Sequence, residues 1–203
     1  MHLIVVILSV INAVTGEQCT QTSNCECKFT NGSVIDLTSL GYHHEARFKH
    51  LTAKCKKDNF KYYYNPCFPF NLGGSCIDVA VCQVQFSSTP KNIQHWDCGN
   101  NNNEFIWNTE RSAYTLVYTA HNHSDERKTI VELKCSKEAT TPLLEVRGEL
   151  QTRVYEMRLT SRCACPDLCS DVPVSVGSTL RFHFVFIICF MLLTMIFQLI
   201  SRI

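Results

Sequence analysis

The stretch Thr129-Ile130-Val131-Glu132-Leu133-Lys134 places Thr129, Val131 and Leu133 on one side of an extended chain and Ile130, Glu132 and Lys134 on the other. Val154-Tyr155-Glu156-Met157-Arg158-Leu159 repeats the pattern. A period of two in β-branched and aromatic residues marks a half-buried strand. Working outward, similar runs occupy Lys61-Asn65, Ile77-Phe86, Glu104-Trp107, Ala113-Ala120, Thr129-Cys135, Leu143-Glu149 and Arg153-Leu159. Turn-forming residues separate them: Pro66, Gly73-Gly74, Gly99 through Asn103, Ser124-Asp125 and Gly148. No segment before the C-terminal apolar run carries helical periodicity. The expected fold is all-β: a sandwich or flattened barrel of antiparallel strands, rich in disulfides.

Composition narrows the function. The 203 residues carry 19 Lys plus Arg against 18 Asp plus Glu, a net charge of +1. Such a balance gives no global field to draw in nucleic acid. With 45% hydrophobic and 18% charged residues, the chain is too apolar to be disordered. Thirteen cysteines fit an oxidising compartment and fit the cytosol poorly.

Both ends read as membrane signals. Leu3 to Ile11 has the length of a signal-peptide core, with a cut expected between Gly16 and Glu17. Phe182 to Ile200 is 19 residues without Asp, Glu, Lys or Arg, about 28 Å as a helix and enough to span the hydrocarbon layer. The expected organisation is therefore a signal peptide over 1–16, an exported domain over 17–170, a linker over 171–181, a transmembrane helix over 182–200 and a cytoplasmic tail of 201–203. The expectation is a single-pass type I protein of the secretory pathway, in the Golgi, endosome, lysosome or at the cell surface. A lipid (GPI) anchor replacing the helix is the minor alternative.

Leaving Cys189 in the apolar run, twelve cysteines remain in the exported region, enough for six bridges whose pairing the count does not give. Asn31-Gly-Ser and Asn122-His-Ser are acceptors for N-glycosylation. Catalysis is not expected. Asp125-Glu126 are adjacent and diverge, and no Gly-x-Ser-x-Gly occurs. His121-x-His123 lacks a third ligand for a metal, and the paired cysteines lack zinc spacing. No cofactor is implied. The lysines at 49, 54, 56, 57 and 61 read as a solvated loop, and Phe68-Pro-Phe70 as packing beside Cys67.

A sugar ring asks for planar amide, carboxylate and guanidinium groups beside an aromatic wall. Gln83, Arg127, Glu149 and Tyr155 offer these, although each taken alone reads equally as surface or core. Their contexts are more informative. Cys27-Lys-Phe with Val34-Ile-Asp-Leu, Tyr62-Tyr-Tyr-Asn-Pro-Cys67, Ala80-Val-Cys-Gln83, Tyr114-Thr-Leu-Val-Tyr118, Arg127 through Cys135, Glu149, Tyr155-Glu-Met and Ala164-Cys-Pro166 follow one another in order. From about Cys27 to Cys165 the chain resembles the mannose 6-phosphate receptor homology (MRH) domain family, with a single domain and one membrane anchor as in its cation-dependent receptors.

The resemblance implies a lectin that binds mannose or mannose 6-phosphate on N-glycans of glycoproteins, through Gln83, Arg127, Glu149 and Tyr155. It implies the disulfides Cys27–Cys67, Cys76–Cys82 and Cys135–Cys165, with Cys19, Cys25, Cys55, Cys98, Cys163 and Cys169 left unpaired by it. The stretch His121 to Glu126 lacks the cysteine that shapes the family's phosphate loop, which favours plain mannose. His121 is the candidate phosphate contact otherwise. The rival expectation is a protein-binding module that keeps the lectin fold without binding sugar.

Overall fold

The computed structural model describes residues 18–55, 58–87, 92–122 and 125–169, with the backbone alone at 121, 122 and 125. The expected signal peptide, linker, transmembrane helix and tail lie outside the described residues, as does Cys189. Among the described residues no helix is long and apolar enough to cross a membrane.

Among the described residues twelve strands form three sheets. A short meander joins β1 (Cys19–Gln21), β2 (Glu26–Phe29) and β3 (Val34–Asp36). A four-stranded antiparallel sheet runs β4 (Phe48–Thr52), β5 (Lys61–Tyr64), β6 (Val79–Gln85) and β7 (Gln94–Asn100). The third sheet comprises β8 (Asn103–Asn108), β9 (Ala113–Asn122), β10 (Asp125–Cys135), β11 (Leu143–Gln151) and β12 (Val154–Ser161), in the order β11-β12-β10-β9-β8. Among the described residues the sheets stay open and no barrel closes. Lys54 N donates to Val146 O at 2.9 Å, so the chain after β4 bonds to β11 at one corner.

The alternation that reads as strand decides which faces meet. Tyr155, Met157 and Leu159 of β12 and Val131 and Leu133 of β10 turn inward. They pack against Tyr62, Tyr64 and Val81 of the four-stranded sheet in one core that Ile35 and Leu37 extend. Tyr63, Val84 and the Cys76–Cys82 bridge make a smaller cluster with Phe70, which is indeed packed.

The structure corrects four expectations. The sheets are not wholly antiparallel: β12 inserts between β11 and β10 and runs parallel to β10 from Lys128↔Val154 to Cys135↔Ser161. Strand periodicity fixes which side chains are buried, not which neighbour a strand chooses. Next, β1 to β4 and β7 were not anticipated as strands. The first three are short, β4 sits among lysines, and β7 (Gln-His-Trp-Asp-Cys-Gly-Asn) is polar. Gly99, expected as a turn, lies within β7 opposite Val81, and glycine is required there because a Cβ would stand 2.5 Å from Tyr118 Cβ. Gly148 is likewise inside β11 and not a boundary.

The fourth correction concerns cysteines. Cys76–Cys82 and Cys135–Cys165 form as the resemblance implies. Cys27, however, pairs with Cys19, and Cys67 pairs with Cys25. In the β1–β2 register Cys19 faces Phe29 and Gln21 faces Cys27, so the two cysteines are diagonal neighbours on one face. That contact takes Cys27 and leaves Cys67 to Cys25. Cys163–Cys169 is a fifth bridge; Cys55 and Cys98 are free thiols.

The outer face of the third sheet carries an ion network. Glu132 accepts from Arg147 Nη2 at 2.8 Å and from Arg158 Nε at 2.8 Å, and Glu156 accepts from Arg111 Nη2 at 2.6 Å and Arg147 Nη1 at 3.2 Å. Glu132 and Arg158 are direct partners across the parallel pair.

Candidate carbohydrate site

Gln83, Arg127, Glu149 and Tyr155 come from β6, β10, β11 and β12, and the fold brings them together between the two large sheets. Glu149 and Tyr155 are direct cross-strand partners, so both point to one side. Thr129 is the β10 partner of Tyr155, and Arg127, two residues earlier, shares its face. Gln83 pairs with Tyr62 on the opposing sheet, and the Tyr62 ring meets the Tyr155 ring edge-on at 6.1 Å.

A directed hydrogen-bond chain links them. Arg127 Nη1 donates to Tyr155 Oη, and Tyr155 Oη donates to Gln83 Oε1 at 3.4 Å. Gln83 Nε2 donates to Tyr62 Oη at 2.9 Å, which donates to Asp58 Oδ2 at 2.6 Å. The same Asp58 oxygen accepts from Glu149 N at 3.0 Å, and Asp58 Oδ1 accepts from Phe60 N at 3.1 Å. Every donor points toward Asp58, so this carboxylate fixes the orientation of the Gln83 amide. Glu149 Oε1 accepts from Arg153 N at 2.6 Å across the turn from β11 to β12. A cavity of about 320 Å³ lined by Asp58, Phe60, Glu149 and Thr152 opens beside this end of the chain.

Tyr155 and Gln83 are buried, at 0% and 2% exposure. Burial raises the Tyr155 hydroxyl well above its ordinary value, opposed by the Arg127 charge. It stays a neutral donor. Tyr62 is raised for the same reason, helped by the Asp58 carboxylate.

Asp58, Tyr62 and Cys98 were not singled out from the sequence. Asp58 sits in what reads as a solvated lysine loop, yet it is 8% exposed. Its approach depends on Gly148, whose φ is +103° and whose Cβ, if present, would stand 2.6 Å from Asp58 Oδ2. A glycine inside a strand pattern was the available signal. Gly148→Ala is therefore expected to cost about 1–3 kcal/mol and to displace Glu149, read as a lower urea midpoint.

Cys98 is buried below the site, where burial pushes its thiol up to about 12, against the opposing influence of the Tyr155 hydrogen bond and the Arg127 charge. A neutral thiol is a poor nucleophile. In the folded protein, iodoacetamide should label the half-buried Cys55 and leave Cys98 untouched until urea is added, as peptide mapping by mass spectrometry would read. Comparable labelling of both thiols in buffer would contradict this environment for Cys98.

Burial also raises the neighbouring Asp97 carboxyl, opposed by the Gly99 N–H, 2.9 Å from Oδ1, and by the Arg127 charge. A raised folded value favours the protonated form. The associated stability is present below the unfolded value of about 3.9 and is lost as pH rises through the folded value. Asp97→Asn, which keeps the acceptor, should raise the urea midpoint at pH 7 and lose that advantage near pH 3.5. An equal shift at both values would exclude titration as the cause.

His121 and Asn122 lie in β9, opposite Glu126 and Asp125, with side chains outside what is described; His123 is outside altogether. Asn31 is exposed in the turn between β2 and β3, its Oδ1 accepting from Ser33 N at 2.9 Å. Among the described residues no three His, Cys, Asp or Glu side chains gather as a metal set.

Solved structures similar to the chain include the following two. Domain 11 of chicken IGF2R aligns with a TM-score of 0.48 and 17% identity over 71% of this chain and 95% of that one. The MRH domain of Yos9, in a solution structure complexed with alpha3,alpha6-Man5, aligns with a TM-score of 0.34 and 16% identity over 52% of this chain and 71% of that one. No protein-family model matches the sequence, and no curated protein matches it.

Proposed function

We propose that this domain is a non-catalytic lectin that binds mannose-terminated N-glycans of glycoproteins. The observation that carries the reading is the convergence of Gln83, Arg127, Glu149 and Tyr155, from four strands of two sheets, into one cluster. These are the residues that the sequence resemblance to MRH domains matches to mannose contacts. Arg127 and Gln83 take the axial 2-hydroxyl region that separates mannose from glucose, while Glu149 and Tyr155 take the 3- and 4-hydroxyls. The sugar replaces the Arg127–Tyr155 bond. Single sites of this kind bind weakly, and multivalent glycans compensate. The apolar runs 3–11 and 182–200 support a membrane-anchored protein of the secretory pathway, with glycoprotein sorting as its role.

The buried, mutually satisfied Tyr155 and Gln83 favour the rival reading, a protein-binding module with a closed pocket. A glycan array with plain and phosphorylated mannose glycans, read at pH 6.5 and 4.5, separates them. Mannose-dependent binding supports the lectin, with plain glycans preferred over phosphorylated ones. No binding by the oxidised, folded protein would leave the protein-binding module.

A further inference from the structure

A second cavity, of about 540 Å³, shares no lining residue with the sugar cluster. One wall is aromatic: Tyr114 meets Phe29 edge-on at 5.5 Å and Trp107 at 5.1 Å. The other wall carries Arg111, Lys134 and Arg158. Its one lining acid is Glu132, already held by Arg147 and Arg158. Among the described residues Arg111, Arg147 and Arg158 ion-pair with Glu132 and Glu156, while Glu145, the cross-strand partner of Arg158, is held by Lys54 and lies in the field of Arg158 and Lys134. Five cations (Lys54, Arg111, Lys134, Arg147 and Arg158) thus face three carboxylates, an excess of two positive charges. Arg111 holds Glu156 through Nη2, while its buried Nη1 makes no hydrogen bond among the described residues and stands 3.7 Å from Glu132 Oε2.

A volume in the range of ligand sites, an aromatic wall and an uncompensated cationic wall define a ligand with an apolar body and one anionic head. A free sugar lacks the apolar body, and an inorganic anion would leave the aromatic wall uncovered. We propose that this cavity binds an organic monocarboxylate with an aromatic or branched aliphatic body, supplied free or as the C-terminal residue of a polypeptide. Arg158 and Lys134 meet the carboxylate, Arg111 turns its spare donor toward it, and Trp107 packs on the body. The site is independent of the sugar cluster.

The chain has two tryptophans, so its fluorescence reports the cavity. The full oxidised chain is titrated with 3-phenylpropanoate, with 3-phenylpropanamide and with N-acetyl-Gly-Gly-Phe. The expected result is a saturable change with the carboxylates that survives Trp96→Phe, a response at least about tenfold weaker for the amide, and weakening by about tenfold or more in Lys134→Glu. Lys134 is exposed, so that variant keeps its fold and its mannose binding. Tighter binding of the peptide marks a polypeptide end as the source, and tighter binding of the free acid marks a small molecule; both support the site. No saturable change, an equal response to the amide, or an unaltered response in Lys134→Glu would overturn it.

Discussion

Arg127→Ala is expected to lose mannose binding while keeping the fold. The guanidinium is half-buried, and its one hydrogen bond to the site goes to a tyrosine hydroxyl that also bonds Gln83. Its removal leaves Tyr155 satisfied, so the stability cost stays within about 1 kcal/mol. Toward a sugar the arithmetic differs. A charged donor serving two hydroxyl oxygens contributes about 1.5–3 kcal/mol per bond, so affinity falls about 100-fold or more, below detection for a weak single site. Titration calorimetry with a multivalent mannose glycan, beside a thermal melt, checks both halves. Unchanged binding in Arg127→Ala would remove Arg127 from the sugar site, and a large drop in melting temperature would make the loss uninterpretable as recognition. Gln83→Ala gives the second reading, since in the proposed lectin its amide would meet the sugar from the opposite sheet.

Glu132→Ala is expected to destabilise the domain most. Glu132 has 9% of its side chain exposed and accepts from Arg147 and Arg158, with Arg111 3.7 Å away. Replacing it leaves three guanidinium groups with Glu156 and with Glu145, which Lys54 already holds. Breaking a buried pair by removing one partner costs about 3–5 kcal/mol, because the remaining charges stay desolvated. At about 2–4 °C per kcal/mol for a domain of this size, the melting temperature falls by about 6–20 °C. Glu132→Gln, which keeps the shape and an acceptor, loses less. A cost under about 1 kcal/mol for Glu132→Ala would show that the arginines are solvated and that the network does not organise the outer face.

The sequence made the four clustered residues Gln83, Arg127, Glu149 and Tyr155 legible as candidates for a local reason. Gln83 follows a cysteine that pairs six residues away, Arg127 opens a strongly alternating strand, and Tyr155 sits in another. Local pattern and position in the fold agree there. Asp58 was hidden because its neighbours are lysines, and only the bulge at Gly148 brings it under the site. Strand β7 was hidden because its side chains are polar; it is held by ladder bonds to β6 and by the close pass of Gly99 against Tyr118. The parallel β10–β12 pair and the exchange of partners among Cys19, Cys25, Cys27 and Cys67 are long-range choices. No periodicity within one segment encodes them. The two free thiols follow from the same geometry: Cys98 faces the core under Tyr155, and Cys55 borders the cavity beside Glu149.

The most direct test of the lectin reading is a crystal structure of the oxidised domain with a mannose-terminated oligosaccharide. The predicted result is a terminal mannose ring against Gln83, Arg127, Glu149 and Tyr155, with the Arg127–Tyr155 bond opened and the Tyr62–Asp58 bond kept. A sugar bound elsewhere, or an unchanged closed cluster at saturating oligosaccharide, would contradict it.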